Sequence, residues 1–554
     1  DVSAGSDGYF KLQTLLGKNF GKFSVLVDAL RYQSDGFKNL DNGGDTGFER
    51  NDINAKLKWA PETDKAQSLT FKLGYADEDS DETYLGLSND DFNIDPVKRY
   101  PASQLDNFQS EHKQFHLNYA LQATDSTRVN IKAYLNEFER AWNKFDGVMS
   151  GTAPQSILSK PQLYANQYLV LSGQLDSVGS DSDTIDVTNN DREFSSRGLQ
   201  LSTNTSYSFA NRDNELSFGI RLHKDEVDRD HRKAGYLMNS GNLVSNEIQY
   251  PSKVQNHAES EALSLYAANR IYFNTVEVEV GVRYEDIEGD LVNHLLSVTK
   301  SNSQSKVLPG VSALWDLSES TAIFAGIHKG YSPRSPGSNA DQAEESTNYE
   351  YGIRYNENNK GLEIVGFNSD YENLIGRCRV SDFGCNPGEE FSGGEVNING
   401  AELSGSLQWS FENKLDLSLS ANYTYTSSEF QESFLSTFSQ FGLVREGDEL
   451  PYLPEHIARI EVLMAKDDWE VTAAIKHQSS MREEPGQGSV TEGVYAQELT
   501  IIDLSASWQF SEQGTAQVML TNLTDEQKIV SHRPFGARPN RPFAAILRIK
   551  YRLK

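Results

Sequence analysis

Residues 276–285 read Val276-Glu-Val-Glu-Val-Gly-Val-Arg-Tyr-Glu285, in which apolar and charged side chains alternate with few exceptions. Because successive side chains of a β-strand point to opposite faces, this period of two predicts a strand with one apolar and one charged face. The same alternation recurs at residues 415–426, 502–510 and 543–553. The repeated pattern predicts an all-β protein.

The charged face of these strands decides between two kinds of β-protein. Unpaired charges at successive inward positions would be strongly unfavourable in the packed core of a sandwich. They are tolerated when they face a water-filled lumen and the apolar face meets lipid. Tilted strands of about ten residues also match the span of a bilayer. The pattern therefore favours a transmembrane β-barrel, and a large extracellular sandwich or propeller stays the alternative.

The lengths of the connectors predict how the barrel is arranged. Short turns, such as residues 274–275 and 412–413, alternate with long loops, such as residues 78–107, 141–194 and 229–258. Short periplasmic turns on one rim and long extracellular loops on the other are typical of outer-membrane barrels. Counted along the chain, the segments predict a 22-stranded antiparallel transmembrane β-barrel.

The even number of 22 strands includes one strand at the very start of the chain. Residues 1–4 are predicted to end a strand, and Gly-Ser-Asp-Gly at residues 5–8 is predicted to form a tight turn. We expect this first strand to be truncated. A barrel of this width does not fill its lumen with its own side chains, and known examples carry a plug. Residues 1–554 are all assigned to the barrel, so an N-terminal plug domain is expected upstream of Asp1.

The composition excludes several functional classes. The chain carries 51 basic and 80 acidic side chains, for a formal charge of -29, so no basic stripe is available for a nucleic acid. No window of about 18 apolar residues predicts a helical membrane span. The sequence contains no nucleophile elbow, phosphate-binding loop or Gly-x-Gly-x-x-Gly motif, which argues against an enzyme.

Motifs spread over nearly the whole chain resemble those of TonB-dependent outer-membrane receptors, specifically the ferric-citrate-receptor-like branch. The matching runs are Glu82-Thr-Tyr-Leu-Gly-Leu87, Asp91-Phe92, Arg99-Tyr-Pro-Ala-Ser-Gln104, Gly326-Ile-His-Lys-Gly-Tyr-Ser-Pro-Arg334, Asn348-Tyr-Glu-Tyr-Gly-Ile-Arg354, Asp370-Tyr-Glu-Asn-Leu374, Cys378…Cys385, Gly394-Glu-Val-Asn-Ile-Asn-Gly-Ala-Glu-Leu403, Gly447-Asp-Glu-Leu-Pro-Tyr-Leu-Pro-Glu455, Thr521-Asn-Leu-Thr-Asp525 and Arg533-Pro-Phe-Gly-Ala-Arg-Pro-Asn-Arg-Pro542. Their order and spacing are specific to the receptor class and not to a ligand.

The resemblance implies active, TonB-dependent uptake of a ferric chelate, such as ferric citrate or another siderophore, across the outer membrane of a Gram-negative cell. The implied partners are outer-membrane lipid and lipopolysaccharide, a plug domain, and TonB with its inner-membrane energising complex. The ferric chelate is the ligand, and no further cofactor is expected. Three alternatives stay open: a passive porin, TonB-dependent uptake of a non-iron nutrient, and an extracellular adhesin or scaffold.

The two cysteines, Cys378 and Cys385, lie in the predicted outside loop at residues 374–395. In an oxidising compartment, two cysteines so close in sequence are interpreted as a local disulfide. Binding of a metal by both thiols is the alternative, but further ligands are not found nearby.

Arginines in the predicted outer loops are candidates for binding an anionic chelate, because guanidinium groups recognise carboxylates bidentately. The candidate ligand-binding residues are Arg334, Arg377, Arg379, Arg482 and Arg533, together with His328 and Tyr331 at a strand end. Pairing with the abundant acids is the simpler interpretation of any single arginine. The acidic total argues against a purely anionic ligand unless the arginines are locally concentrated.

Three other groups of residues are interpreted without a binding role. The acids between Asp77 and Asp95 match no calcium-loop template and are interpreted as a solvated loop. His112 and His116 lie about 13 Å apart if they are on one strand, too far apart to share a metal. Inward arginines such as Arg270 are expected to pair with the plug or with lumen acids such as Glu279.

Overall fold

The computed structural model describes residues 1–338, 340, 342–378, 390–436, 441–490 and 493–553. Twenty-two antiparallel strands within these ranges close into one ring. Val2 of the first strand lies opposite Leu12 of the second strand and opposite Ile549 of the last, and this pairing closes the barrel. The predicted fold class and strand number are confirmed.

The strands of the ring are numbered here in chain order. They are β1 (Val2–Gly5), β2 (Phe10–Phe20), β3 (Phe23–Ser34), β4 (Phe48–Trp59), β5 (Gln67–Ser80), β6 (Asn107–Gln122), β7 (Thr127–Val148), β8 (Thr184–Phe209), β9 (Arg212–Asn239), β10 (Val254–Phe273), β11 (Val276–Asn293), β12 (Val298–Asp316), β13 (Thr321–Ser332), β14 (Glu344–Glu357), β15 (Lys360–Glu372), β16 (Val396–Ser410), β17 (Leu415–Phe430), β18 (His456–Lys466), β19 (Trp469–Gln478), β20 (Leu499–Ser511), β21 (Gly514–Thr521) and β22 (Ala544–Tyr551).

Shorter elements lie in the long connectors. Asn242–Gln249 is an additional strand outside the ring that pairs with β9. Among the described residues, the two-residue and three-residue strands form five separate pairs: Asn39–Leu40 with Lys98–Arg99, Ile375–Arg377 with Glu390–Ser392, Phe434–Leu435 with Leu443–Val444, Met481–Arg482 with Tyr495–Ala496, and Ile529–Ser531 with Arg538–Pro539. The helices are Asn89–Ile94, Pro154–Ser159 and Ala165–Leu171, with a 3-10 turn at Pro101–Ser103. Among the described residues, no helix combines the length and apolar character needed to cross a bilayer.

The outer wall of the barrel carries the apolar half of the alternating pattern. Val280 and Val282 of β11, Leu199 of β8 and Leu222 of β9 all point outward and are 45–53% exposed. Because so much exposed aliphatic surface is unfavourable in water, this belt is suited to contact lipid chains. The intervening residues, such as Glu279, point into the lumen.

Aromatic residues mark the lower edge of this belt, beside the short turns. Trp469 and Trp508 stack with their ring centroids 5.7 Å apart on neighbouring strands. The exposed aromatic residues at this rim include Phe20, Phe209, Phe273, Trp315, Trp409, Trp469, Trp508, Phe510 and Tyr551. Such a girdle is typical of the boundary between a bilayer and water.

Several strands rise far above the apolar belt on the long-loop side, and here the predicted connectors are wrong. β8 has 26 residues and β9 has 28, so both extend into the segments predicted as the loops 141–194 and 229–258. The loop predicted at residues 289–303 is mostly strand as well. Antiparallel pairing satisfies the backbone in water as well as in lipid, so nothing forces the strands to end at the membrane surface.

Above the strands, the long connectors pack around a shared hydrophobic core. We call this cluster the loop core. Its buried residues are Leu85, Leu87, Phe92, Tyr100, Ala102, Phe145, Val148, Ile157, Leu158, Val170, Leu171, Ile185, Val187, Met238, Ile529, Phe535 and Ala537. They come from connectors that are distant in sequence and from the upper ends of β7, β8 and β9, so the connectors and these strand ends form one packed unit.

The family-like motifs supply much of this packing. Arg99 is 3% exposed, and its guanidinium donates to the carbonyl of Asp81 at 2.5 Å and to the carbonyl of Ser103 at 2.7 Å. The buried hydroxyl of Tyr100 hydrogen-bonds Asp91 and accepts from the amide of Ser88 at 3.1 Å. These motifs therefore stabilise the loop core.

Candidate functional site

Three arginines lie side by side on the inner wall, near the long-loop rim. Arg140 of β7 is directly opposite Arg192 of β8, and Arg192 is directly opposite Arg229 of β9. Residues opposite each other in an antiparallel pair have Cβ atoms about 4.5–5.5 Å apart. We call these three residues the arginine row. Like charges placed opposite each other destabilise a sheet, so the row needs a compensating interaction.

The arginine row lies above the apolar belt. At the same level the outer wall presents Glu139 and Glu193, which are opposite each other on β7 and β8. Two exposed carboxylates would not face hydrocarbon, so the wall at this height has water on its outside. The row is therefore at the mouth of the lumen and not within the lipid-facing section.

The guanidinium groups of Arg192 and Arg229 are held in position by neutral partners. Nε of Arg192 donates to Oδ1 of Asn190 at 2.8 Å and to Nε2 of His231 at 3.2 Å. Nη1 of Arg229 donates to Oδ1 of Asn256 at 3.0 Å. His231 is fully buried. These contacts orient the arginines without neutralising their charge.

The local electrostatics show that the positive charges accumulate here. Burial, followed by the charges of Arg140 and Arg229, lowers the pKa of Arg192 to about 10. Burial, followed by the charges of Arg377 and Arg140, lowers the pKa of Arg229 to about 10. Arg377 thus lies within electrostatic reach of the row, although it comes from the connector between β15 and β16. Four arginines concentrate at one place in a chain of net charge -29.

Of the predicted ligand-binding residues, Arg377 is the one that the structure brings to the arginine row. Its side chain is 44% exposed and pairs with Glu390 at 3.3 Å. Arg379 lies outside the described residues, and so does Cys385. Cys378 is buried, and its disulfide with Cys385 stays a prediction.

The other predicted arginines brace the long connectors. Arg334 donates to the carbonyls of Ala340 and Ser303, each at 3.0 Å. Arg482 is buried, pairs with Glu449 at 2.7 Å and donates to the carbonyl of Gly488 at 2.8 Å.

Arg533 lies in the connector between β21 and β22, next to the loop core. Its charge lowers the pKa of Tyr452, although burial and Glu483 outweigh this effect. This places Arg533 beside a tyrosine of the connector between β17 and β18 and a carboxylate of the connector between β19 and β20. Its predicted role in ligand binding stays a prediction.

The two predicted residues of β13 are separated from the arginine row. His328 lines a cavity of about 560 Å³ in the lumen wall, which Arg270 and Glu279 also line. Tyr331 is higher on the same strand and interacts electrostatically with Arg334.

The ion pair expected for Arg270 is present, with Nη2 2.8 Å from Oε2 of Glu279. The acidic run differs from the predicted solvated loop. Asp77 and Asp79 are within β5, and Asp91 accepts a hydrogen bond from Tyr168 at 2.6 Å in the loop core. The two histidines at 112 and 116 are both on β6, as predicted.

The sequence did not identify the arginine row because its members are close only through strand pairing. Arg192 and Arg229 were within or at the edge of predicted loops. A signal was nevertheless available. The period of two continues beyond the apolar belt in Arg192-Glu-Phe194. Here the charged Glu193 points outward, and Arg192 and Phe194 point inward.

Comparisons with known proteins agree with this architecture. Residues 64–523 match the family model described as TonB dependent receptor-like, beta-barrel. The ferric citrate transporter FecA, in the unliganded form, superimposes with a TM-score of 0.78 at 16% identity, covering 99% of this chain and 77% of that chain. The siderophore receptor PiuA from Acinetobacter baumannii superimposes with a TM-score of 0.76 at 16% identity, covering 99% and 80%.

The copper transporter OprC has the same fold, with a TM-score of 0.71 at 12% identity, covering 99% of this chain and 79% of that chain. At these identities the structural matches show a shared fold and leave the cargo open. The family model, in contrast, matches most of the sequence. The chain therefore belongs to the family of TonB-dependent receptors, of which it contains the β-barrel.

Proposed function

We propose that this chain is the barrel of a receptor that takes up an anionic ferric chelate across the outer membrane of a Gram-negative cell, driven by TonB. The proposal rests on the position of the arginine row and Arg377 at the mouth of the lumen. A chelate with several carboxylates, such as ferric citrate, presents acceptors suited to bidentate guanidinium groups. Such a ligand would also relieve the repulsion within the row.

Family membership supports energy-dependent transport as the mechanism. A barrel has no energy source of its own, and the members of this family draw on an inner-membrane complex through TonB. We infer that a plug domain closes the lumen until TonB acts on it. The ligand would bind first to the arginines at the mouth of the lumen, and the movement of the plug would then open a path to the periplasm.

Substitution of each arginine of the row tests whether the row binds the chelate. Arg140→Gln, Arg192→Gln and Arg229→Gln remove one charge each from the full-length receptor, and binding of ferric citrate is measured in detergent by tryptophan fluorescence. Loss of a charged hydrogen bond costs about 1.5–3 kcal/mol, so each variant should bind about tenfold or more weakly. Arg270→Gln is the matched control, because Arg270 is also on the inner wall but is neutralised by Glu279.

Uptake measurements in cells complete the test. Radioactive iron supplied as ferric citrate should enter cells that carry the receptor and should not enter an otherwise identical strain without TonB. Equal uptake in the two strains would support a passive porin instead. Unchanged affinity in all three row variants would show that the arginines do not bind the chelate.

A further inference from the structure

An apolar strip crosses the inner wall directly below the arginine row. Phe138 of β7 is opposite Phe194 of β8, and Phe194 is opposite Val227 of β9. His112 of β6 is opposite Phe138, and Ala258 of β10 is opposite Val227. The strip is therefore five strands wide, or about 19 Å at the usual strand spacing. Four of its members are partly exposed, and Ala258 is buried.

The strip is unusual for its position in the lumen. Each residue lies two positions along its strand from the arginine row or its neighbours, a rise of about 7 Å. The next level down is polar again, with Asn136 opposite Ser196 and Ser196 opposite Asp225. An apolar band between a cationic level and a polar level can bury an apolar group of a ligand that the arginines also contact.

The geometry of the rings indicates which ligand group the strip would fit. The rings of Phe138 and Phe194 are 5.8 Å apart at an interplanar angle of 35°. The imidazole of His112 meets Phe138 edge-on at 5.8 Å and 86°. Both separations are within the range in which aromatic rings attract each other, so a further flat ring could join the group from the lumen side.

We propose that the strip and the arginine row form one composite site, whose ligand carries aryl groups next to its anionic groups. This inference rests on the proposed function and narrows its ligand class. The arginines bind carboxylate or phenolate oxygens at the upper level. The phenylalanines pack against the aryl ring about 7 Å below, a separation that a single chelate can span.

Two probes that differ in the ring test the composite site. Ferric citrate has no aromatic ring, and ferric 2,3-dihydroxybenzoate has one in each ligand molecule. Both are titrated into the full-length receptor and into a variant with Phe138→Ala and Phe194→Ala. We expect the variant to bind the ring-bearing probe about fivefold to tenfold more weakly, and the ring-free probe less than about twofold more weakly.

Two further variants control for folding and for ring chemistry. Phe115→Ala removes an aromatic residue from the outer wall, where Phe115 contacts Phe71 at 4.9 Å, and it should leave both affinities unchanged. Phe138→Tyr keeps the ring and should retain the preference for the ring-bearing probe. Heat-modified electrophoretic mobility, which reports a closed barrel, verifies that each variant is folded.

The outcomes separate this inference from the proposed function. Equal weakening of both probes in the double phenylalanine variant, or no weakening of either, would overturn the composite site. Equal weakening would assign the strip to a contact with another segment of the receptor. Arg140→Gln, Arg192→Gln and Arg229→Gln are measured in the same series, and full retention of both affinities in all three variants would overturn the proposed function whatever the phenylalanines show.

Discussion

The amide of Leu87 donates to the carbonyl of Ala537 at 3.0 Å, and the amide of Ala537 donates back to the carbonyl of Leu87 at 2.7 Å. Leu87 belongs to the connector after β5, and Ala537 belongs to the connector before β22. Both side chains are buried in the loop core. Connectors from the two ends of the chain are thus joined by backbone pairing as well as by packing.

Phe535 should be essential for this joined unit. It is 2% exposed and packs edge-on against Tyr84 and Phe145, at 6.2 Å and 6.1 Å. Truncation of a buried phenylalanine costs about 3–5 kcal/mol. In Phe535→Ala we expect faster amide hydrogen exchange throughout the loop core and unchanged exchange in the barrel. Leu163→Ala, at a residue 75% exposed, is the control and should change neither.

The stability of the loop core should depend on pH through Asp106. Its buried carboxylate accepts from the hydroxyl of Thr83 and the amide of Phe145, each at 2.5 Å. Burial outweighs these contacts and raises the pKa of Asp106 from 3.8 to about 7. Because the folded state then holds a proton that the unfolded state has lost, stability falls as the pH rises from about 4 to about 7.

The exchange of the Phe145 amide measures this dependence. Protection should decrease from pH 5 to pH 7.5 in the parent receptor after correction for the intrinsic exchange rate. In Asp106→Asn, which does not titrate, the decrease should be absent. A parallel decrease in both proteins would assign the pH dependence to another group.

Glu483 and His532 should hold three connectors together. The carboxylate of Glu483 lies 2.8 Å from Nδ1 of His532 and accepts from the His532 amide at 2.6 Å, while Nε2 of His532 lies 2.9 Å from Oδ1 of Asn89. Removal of the carboxylate would leave the buried amide and imidazole of His532 without their acceptor, which costs about 1–3 kcal/mol for each buried group. Glu483→Ala should therefore increase proteolytic cleavage in all three connectors, and Glu484→Ala, at an exposed position, should not.

The same pair predicts a loss of stability in acid. Burial alone would raise the pKa of Glu483, but the hydrogen bonds and charge of His532 outweigh burial and lower it below 4.5. The stabilisation is thus complete above pH 4.5 and is lost as the pH falls through the lowered pKa. Cleavage of the parent receptor by pepsin at pH 4.5 and pH 3 should show this loss, and Glu483→Gln should show a smaller difference.

The arginine row should cost stability in the ligand-free receptor. Directly opposed like charges destabilise a sheet by about 0.2–1 kcal/mol per pair. Arg192→Met removes two such pairs, so its thermal midpoint in detergent should be higher than that of the parent. Arg270→Met breaks the ion pair with Glu279 and should give no increase. High salt should reduce the difference between Arg192→Met and the parent, since it screens the repulsion.

The barrel could be predicted from the sequence because lipid on one side and water on the other impose a period of two. The pattern at residues 276–285 is sufficient to orient every side chain of that strand. Above the apolar belt both faces of the wall meet water, so the hydrophobic signal disappears while the backbone pairing continues. The strands β8 and β9 were therefore predicted to end too early.

The site was harder to predict from the sequence than the fold. Arg140 and Arg192 are separated by a connector with two helices, and their proximity depends on a register that no local pattern specifies. The packing of Leu87 against Ala537 poses the same difficulty at larger sequence separation. The outer-loop arginines were predicted from their residue type, and Arg334 and Arg482 donate hydrogen bonds to connector carbonyls. Their role in ligand binding stays a prediction.

The mounting of the arginine row on three continuous strands has a consequence for selectivity. Guanidinium groups on loops could adjust to many anions, whereas groups fixed on a hydrogen-bonded ladder keep the spacing of the sheet. The row would then bind most tightly those chelates whose negative oxygens repeat at about 5 Å. Chelates of equal charge but different shape would bind more weakly. Cells carrying such a receptor would choose among chelates by molecular dimensions as well as by charge.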